Sequence, residues 1–386
     1  MDNPKENLAE ICPDVEISSG FADSEWADFV RSETTSTSAH LIEWRKLISN
    51  VFGYEPLYRV ARREGQISGV LPAFLVNSLL LGRHIISVPF LNSGGICASD
   101  EPTMAALVAD AYQLVGRRRA KHLEMRCAYP PPDGTPAREH KVRIVLDLPG
   151  SADRLWDSLR GEIRNRTRRA QNAGLTVDFN SSELDGFYAV FTENMRDLGV
   201  PAHPKRFFEA VLSTFAGSSE HLHSVEEHPE RVEEHPEPVE GRSETAERRS
   251  ELVVVKAGSE VIGGAILFRF RDTIEVPWIS CSRPHFELCP NNILYWEIMR
   301  RACEEGFRTF DFGRSSRDTG PATFKMRWGA RVEQLYWHYA LPDGASMPRE
   351  TGVSNPRFQL ASNLWKRTPQ AVTDCVGPRL IRHLPG

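Results

Sequence analysis

The sequence has no apolar run near the roughly 20 residues needed to cross a bilayer. Its first 14 residues have neither the charged start nor the apolar core of a signal peptide. Both absences point to a cytoplasmic protein. There is no Cys-x-x-Cys pair. The 7 cysteines stand apart at positions 12, 97, 127, 281, 289, 303 and 375, an odd and scattered set that argues for buried thiols rather than a zinc site or a disulfide framework. A positive surplus is missing too: the net charge is -5, and it comes from one stretch. Between residues 217 and 250 ten Glu stand against four Arg, which leaves the rest of the chain at +1. With charge so nearly balanced and no base-reading motif, sequence-specific DNA binding is not expected.

That acidic stretch itself lacks almost every aliphatic and aromatic side chain except valine. It holds two tandem heptads, 225–231 and 232–238, each with Val-Glu-Glu-His-Pro-Glu at its start. Proline every seventh residue blocks a continuous helix, and the composition cannot bury a core, so a disordered insertion in a surface loop is expected. Its histidines at 221, 223, 228 and 235 are read as solvated rather than as a metal site, and no metal is expected elsewhere.

What is present is material for cores. The 386 residues are 40% hydrophobic with 8 Trp, enough for roughly two to three domains. Trp26, Phe29 and Val30, then Leu41, Trp44 and Ile48, recur at helical spacing and predict two short helices. Strands are predicted over 57–62, 66–76, 122–126 and 142–148, with an amphipathic helix over 102–118. Past Gly150, Ser151 caps a helix expected to reach Gly174. It sets Leu155, Leu159 and Ile163 on one side and Arg160, Arg164 and Arg168 in a row on another. That row is either a solvated face or an anion site. After the insertion come strands over 252–256, 261–270 and 273–281, a helix to Glu305, a strand ending at Phe312, a helix over 322–328 and a strand over 334–340.

One stretch concentrates the chemistry. Asp311-Phe312-Gly313-Arg314-Ser315-Ser316-Arg317-Asp318-Thr319-Gly320 is followed by Phe324-Lys325-Met326-Arg327-Trp328-Gly329. It is expected to be a loop leaving a strand, whose small residues let a ligand approach the backbone. Arg314, Arg317, Lys325 and Arg327 outnumber Asp311 and Asp318, which suits an anionic or carbonyl-bearing ligand, or equally a basic turn closed by a core Trp328. Gly94-Gly95 forms a second glycine-rich point, either offering bare amides to a ligand or making a tight turn.

The order hairpin, strand, helix, strand, helix, strand is that of the C-terminal core of an N-acetyltransferase-like fold. The residues Gly313-Arg314-Ser315, Thr319-Gly320, Phe324-Lys325 and Trp328-Gly329 resemble the FemAB-type transferases, in the branch associated with PEP-CTERM/exosortase exopolysaccharide systems. Gly69-Val70-Leu71-Pro72, Ser87-Val88-Pro89-Phe90, Arg164-Asn165-Arg166 and Leu364-Trp365-Lys366-Arg367 support the resemblance, which covers nearly everything but the insertion.

The resemblance implies an α/β (α+β) protein of two tandem GNAT-like domains with mixed sheets flanked by helices. These would lie at 1–149 and at 150–345, the latter interrupted by the acidic insertion 217–250, with a tail 346–386 packed on the body. It implies transfer of an acyl or aminoacyl group to an amine of a cell-envelope or exopolysaccharide precursor. Lys325, with Phe324 beside it, would stabilise the oxyanion of the acyl carbonyl, and Asp311 or Asp318 is the candidate base. Arg164, Arg168 and Arg314 are the expected anion contacts, with Ser315, Thr319, Trp328, Gly94 and Gly95 as further substrate-binding candidates. No cofactor is expected to be tightly bound. The donor would be aminoacyl-tRNA or acyl-CoA, and 286–292, Phe-Glu-Leu-Cys-Pro-Asn-Asn, lacks the glycines of a CoA pyrophosphate loop. A CoA-dependent acetyltransferase of a small amine and a non-catalytic precursor-binding module remain as alternatives. Peripheral contact at the inner face of the membrane is a further expectation, carried by the mixed apolar and basic tail 364–384.

Overall fold

A computed structural model of the chain describes residues 14–132, 134–217, 248–348 and 356–384. Almost all of the acidic insertion expected at 217–250, and Cys12, lie outside the described residues. Fifteen strands are formed among the described residues. The first eight are β1 Glu16–Ser18, β2 Glu55–Pro56, β3 Arg59–Arg63, β4 Gln66–Leu71, β5 Phe74–Ser78, β6 Gly82–Ile86, β7 Cys97–Ala98 and β8 Leu123–Cys127. The rest are β9 Ala137–Asp147, β10 Leu175–Phe179, β11 Ser250–Ala257, β12 Glu260–Phe270, β13 Thr273–Cys281, β14 Thr309–Ser316 and β15 Arg331–Ala340.

Four of these make a small antiparallel sheet in the order β1-β3-β4-β7, and eleven make a sheet that runs β10-β11-β12-β13-β14-β9-β15-β8-β6-β5-β2. Among the described strands, only β13–β14 and β6–β8 pair in parallel. Chain order is not sheet order. β9, which precedes residue 149, is hydrogen-bonded between β14 and β15, and β15 in turn pairs with β8.

Strand β11 explains its own composition. Leu252 and Val254 point into one apolar cluster, and Val253 and Val255 into another. A strand covered on both faces needs apolar residues at every position, and an unbroken run results. The first cluster unites Trp26, Trp44 and Ile48 of the N-terminal helices Asp23–Ser32 and Glu43–Phe52 with Phe187, Phe207 and Phe208 from the helices Leu184–Leu198 and Lys205–Thr214. On the opposite face, helix Pro290–Glu304 lays Leu294, Ile298 and Met299 on the sheet beside Leu155 and Ile163. A third core lies under helix Glu101–Arg117, with Leu107, Val108 and Leu114 against β5, β6 and β8.

Glu251 of β11 is buried among cations. It accepts from Arg269 Nη2 at 2.5 Å, Arg301 Nη1 at 3.0 Å and the Asn180 amide at 2.9 Å. Removing one member of a buried ionic network strands the others. Glu251→Ala is therefore expected to cost about 3–5 kcal/mol in urea unfolding. A loss under about 1 kcal/mol would show that water already solvates the cluster.

Two expectations need correction. The helix from Ser151 does not run through to Gly174: it breaks into Ala152–Ser158 and Gly161–Asn172, because Leu159 and Arg160 take extended backbone with ψ 143° and 144°. Arg160 thus leaves the arginine row. The stretch expected to be a loop after Phe312 is instead strand, since β14 continues to Ser316. Gly313, at φ +78°, absorbs the irregularity as a bulge between Asp311 and Arg314, and the strand resumes against β9. The tail forms helices Pro356–Arg367 and Gln370–Leu380, and no described helix is long and apolar enough to cross a membrane.

Candidate active site

β13 and β14 pair only at Thr273↔Thr309, Ile274↔Phe310 and Glu275↔Asp311. Beyond that point β13 continues to Cys281 while β14 bulges toward β9, so the two strands part. Glu275 and Asp311 sit where they separate, at the base of a cleft walled by Ser38, Leu91, Asn92, Arg143 and Trp278. Strand separation frees backbone and side chains that a continuous ladder would have used up.

The two carboxylates are held differently. Arg143 Nε donates to Asp311 Oδ2 at 2.6 Å, and the Gly313 amide donates to Oδ1 at 2.7 Å. Glu275 has no ion-pair partner in direct contact among the described residues. Ser38 Oγ donates to it, 3.0 Å from Oε1 and 2.8 Å from Oε2. Burial, reinforced by the Asp311 charge, pushes the Glu275 carboxyl up to about 7, with Arg143 and Ser38 pulling the other way. Burial opposes charge on Arg143 as well, but Asp311, Glu275 and Glu333 outweigh it and hold the guanidinium above its ordinary range. The result is a locked ion pair beside a carboxyl that exchanges its proton near neutrality, which is the division of labour that acid–base catalysis requires.

Lys325 lies on the short helix Gly320–Met326 and turns back to the sheet, where its Nζ donates to the Arg314 carbonyl at 3.3 Å. Burial lowers its pKa to about 8, Asp311 raises it, and Arg314 lowers it further. Lys325 therefore senses the Asp311 carboxylate at the base of the cleft. Arg314 is itself depressed to about 9 by burial and by the neighbouring Arg126, against the pull of Glu124. The two guanidiniums flank the Trp337 ring at 5.3 and 4.6 Å. Arg126 is neutralised by Glu124 at 3.0 Å, whereas Arg314 Nη1 and the Ser315 hydroxyl are buried with no hydrogen-bond partner among the described residues. A guanidinium with one buried nitrogen left without a partner, beside a lysine, suits an anion or a polarised carbonyl.

The sequence candidates thus divide. Asp311, Arg314 and Ser315 lie along β14 with Lys325 bonded to it at the Arg314 carbonyl, and of the four Asp311 lines the cleft. Phe324 packs 5.9 Å from Tyr295, and buried Trp328 stands 6.0 Å from the same ring. Thr319 gives its hydroxyl to the Ser316 carbonyl at 2.8 Å. The amides of Gly94 and Gly95 are both spent on the Arg126 carbonyl, at 3.0 and 2.9 Å. A Cβ on Gly95 would fall 2.3 Å from Cys127 Sγ, so packing alone demands glycine there. Their neighbours Asn92 and Ser93 line the cleft instead. Arg164 is half-buried on helix Gly161–Asn172, and Arg168, further along it, stacks over Trp156 at 5.2 Å. That helix reaches the site's own helix through Glu162, which holds Arg327 at 3.0 Å.

Sequence reasoning missed Glu275, Arg143 and Ser38. Glu275 and Arg143 left a faint signal, each a charged residue inside a run otherwise fit for a buried strand. Ser38, in a Ser/Thr-rich link, left none.

Residues 239–326 match the family model described as an acetyltransferase (GNAT) domain. The chain carries a GNAT-like N-acyltransferase domain. That places the protein in the acyl-transferring class of enzymes. Among solved structures, FemX superposes with a TM-score of 0.58 at 15% identity, covering 90% of this chain and 100% of its own. L-PGS from Bacillus licheniformis gives 0.49 at 11% identity, covering 89% of this chain and 97% of its own. A tandem GNAT protein from the clavulanic acid biosynthesis pathway gives 0.47 at 12%, covering 85% and 99%. No curated protein matches the chain. The FemX likeness, over 90% of the chain, and the family match together show a mixed α/β, GNAT-like fold.

Proposed function

We propose that the protein transfers an acyl or aminoacyl group to an amine on a cell-envelope or exopolysaccharide precursor, at the opening between β13 and β14. The observation that carries this reading is the carboxyl pair at the strand opening, Asp311 locked to Arg143 beside a Glu275 carboxyl pushed up to about 7, with the half-buried ammonium of Lys325 under the influence of Asp311. An amine attacking an acyl carbonyl forms the C–N bond and leaves negative charge on oxygen. Lys325, already desolvated, compensates that charge as it appears, and the unpaired Arg314 guanidinium adds to the field. The attacking nitrogen sheds a proton, and the Glu275 carboxylate accepts it. The bond to the carrier then breaks, and the departing group takes a proton in its turn.

The segment after β13 favours a donor other than CoA. It forms a 3-10 turn, Arg283–Leu288, then a left-handed Cys289 at φ 58°, and Pro290 opens the next helix. Proline there removes one of the backbone donors that a pyrophosphate would use. Calorimetric titration with acetyl-CoA is accordingly expected to give no saturable heat. The GNAT family match keeps the CoA-dependent reading as the second possibility, and a defined one-site isotherm would move the assignment there.

A further inference from the structure

The sheet ends in an unusual corner. The β5–β6 hairpin turns through Leu79, Leu80 and Leu81, and Leu79 is 87% and Leu80 61% exposed. Adjacent, solvent-facing leucines at a loop tip are costly unless something covers them. The tip is also fixed in place. Ser78 Oγ accepts from the amides of Leu80 and Leu81 at 3.1 and 2.9 Å, and itself donates to the His383 carbonyl at 2.7 Å. Lys121 Nζ donates to the Leu81 carbonyl at 2.8 Å, and the Leu79 amide meets His383 Nδ1 at 3.4 Å. The two leucines are held outward by five anchoring contacts, so their exposure belongs to the folded form and not to a loose loop.

The surroundings are basic. Arg83 is exposed one step along β6, Lys121 and Arg119 lie on the adjoining turn before β8, and exposed Arg382 precedes His383. None of the guanidiniums of Arg83, Arg119 and Arg382 has an ion-pair partner among the described residues. The nearby acids are already occupied: Glu55 pairs with Arg118, and Asp110 pairs with Arg59 and Arg117. The helices that lead into this corner, Pro356–Arg367 and Gln370–Leu380, present further exposed apolar pairs one turn apart, Leu360 with Leu364 and Val372 with Val376.

We infer that this corner docks on an anionic lipid bilayer, with Leu79 and Leu80 entering the acyl boundary and Arg83, Arg119, Lys121 and Arg382 meeting the headgroups. Two apolar side chains ringed by unpaired cations match the interfacial membrane-contact pattern, in which apolar insertion and attraction to anionic headgroups act together. A protein groove would satisfy the leucines but leave four cations to be matched one by one. The inference is independent of the transfer chemistry, since none of these residues belongs to the cleft.

The test is sedimentation of the full-length protein with vesicles of phosphatidylcholine, alone or mixed with phosphatidylglycerol. The wild type is expected to bind the mixed vesicles and to release them in high salt. Leu79→Ser with Leu80→Ser should lower the partition coefficient about tenfold or more, with melting temperature and oligomeric state unchanged. Arg83→Glu with Arg382→Glu should abolish the preference for anionic vesicles. Equal sedimentation of wild type and the leucine variant, equal binding to neutral vesicles, or dissociation of a dimer by the leucine substitutions would each overturn the inference. The last outcome would assign the corner to a second copy of the chain.

Discussion

Lys325→Ala is expected to lower kcat by about two to three orders of magnitude, the scale of losing one preorganised oxyanion donor. The fold should survive and even gain, because a desolvated ammonium is a liability to the native state. Its folded pKa of about 8 lies below the ordinary 10.5. The folded protein therefore binds this proton less tightly than the unfolded chain does. The penalty is fully present below pH 8 and is relieved as pH rises toward 10.5. Lys325→Met, which keeps the stem and drops the charge, should melt higher than wild type at pH 7 while remaining as inactive as the alanine variant. Wild-type activity in either variant would remove Lys325 from the mechanism. A variant that fails to fold would show that its contact with the Arg314 carbonyl is structural.

Glu275→Gln is the second large expectation, a loss of about 10²–10⁴-fold in kcat/KM for a missing general base. Its pH signature separates it from a packing defect. In the wild type, rate rises with pH as the carboxyl pair centred on Glu275 ionises near 7, and falls above about 8 as Lys325 gives up its charge. The product is a narrow bell, and Glu275→Gln should lose its acid limb while keeping the alkaline one. Stability moves with the same proton. With a folded pKa raised from 4.5 to about 7, Glu275 contributes stability that is complete below 4.5 and lost as pH climbs through 7. The glutamine variant lacks that decline, so the stability difference shifts in its favour between those limits. A rate profile with both limbs intact in Glu275→Gln would transfer the base role elsewhere, with Asp311 the nearest candidate.

The parts of this protein legible from sequence are those set by local periodicity. The apolar spacing in helix Glu101–Arg117 and the unbroken run in β11 declare themselves because burial on one stripe, or on two faces, dictates the residue at each step. The Gly313 region misled for a physical reason: glycine and serine weaken a strand, and only pairing with β9 on its far side keeps β14 extended. The break at Leu159 and Arg160 is likewise invisible, since both residues are compatible with a helix.

The site itself was half legible. Lys325 and Asp311 lie 14 positions apart and share a motif. Arg143 reaches Asp311 across 168 positions of chain, and Ser38 reaches Glu275 across 237. Those contacts exist because β9 lies beside β14 and because the N-terminal helices fold over the same sheet, and neither register can be read from one sequence. The two halves of the chain share one cleft, with Ser38, Asn92 and Arg143 supplied from before residue 149 and Glu275 and Asp311 from after it.

The most direct test of the account follows a labelled acyl group. Purified wild type, Lys325→Ala and Glu275→Gln are each incubated with an envelope extract and with either a charged pool of radiolabelled aminoacyl-tRNA or labelled acetyl-CoA. Product is scored as hydroxylamine-stable label, the mark of an amide rather than an ester. The account predicts amide-linked label from aminoacyl-tRNA with wild type alone, both variants remaining folded by calorimetry. Equal labelling by all three proteins would contradict it, because amide formation would then proceed without the lysine and the carboxyl assigned to the transfer.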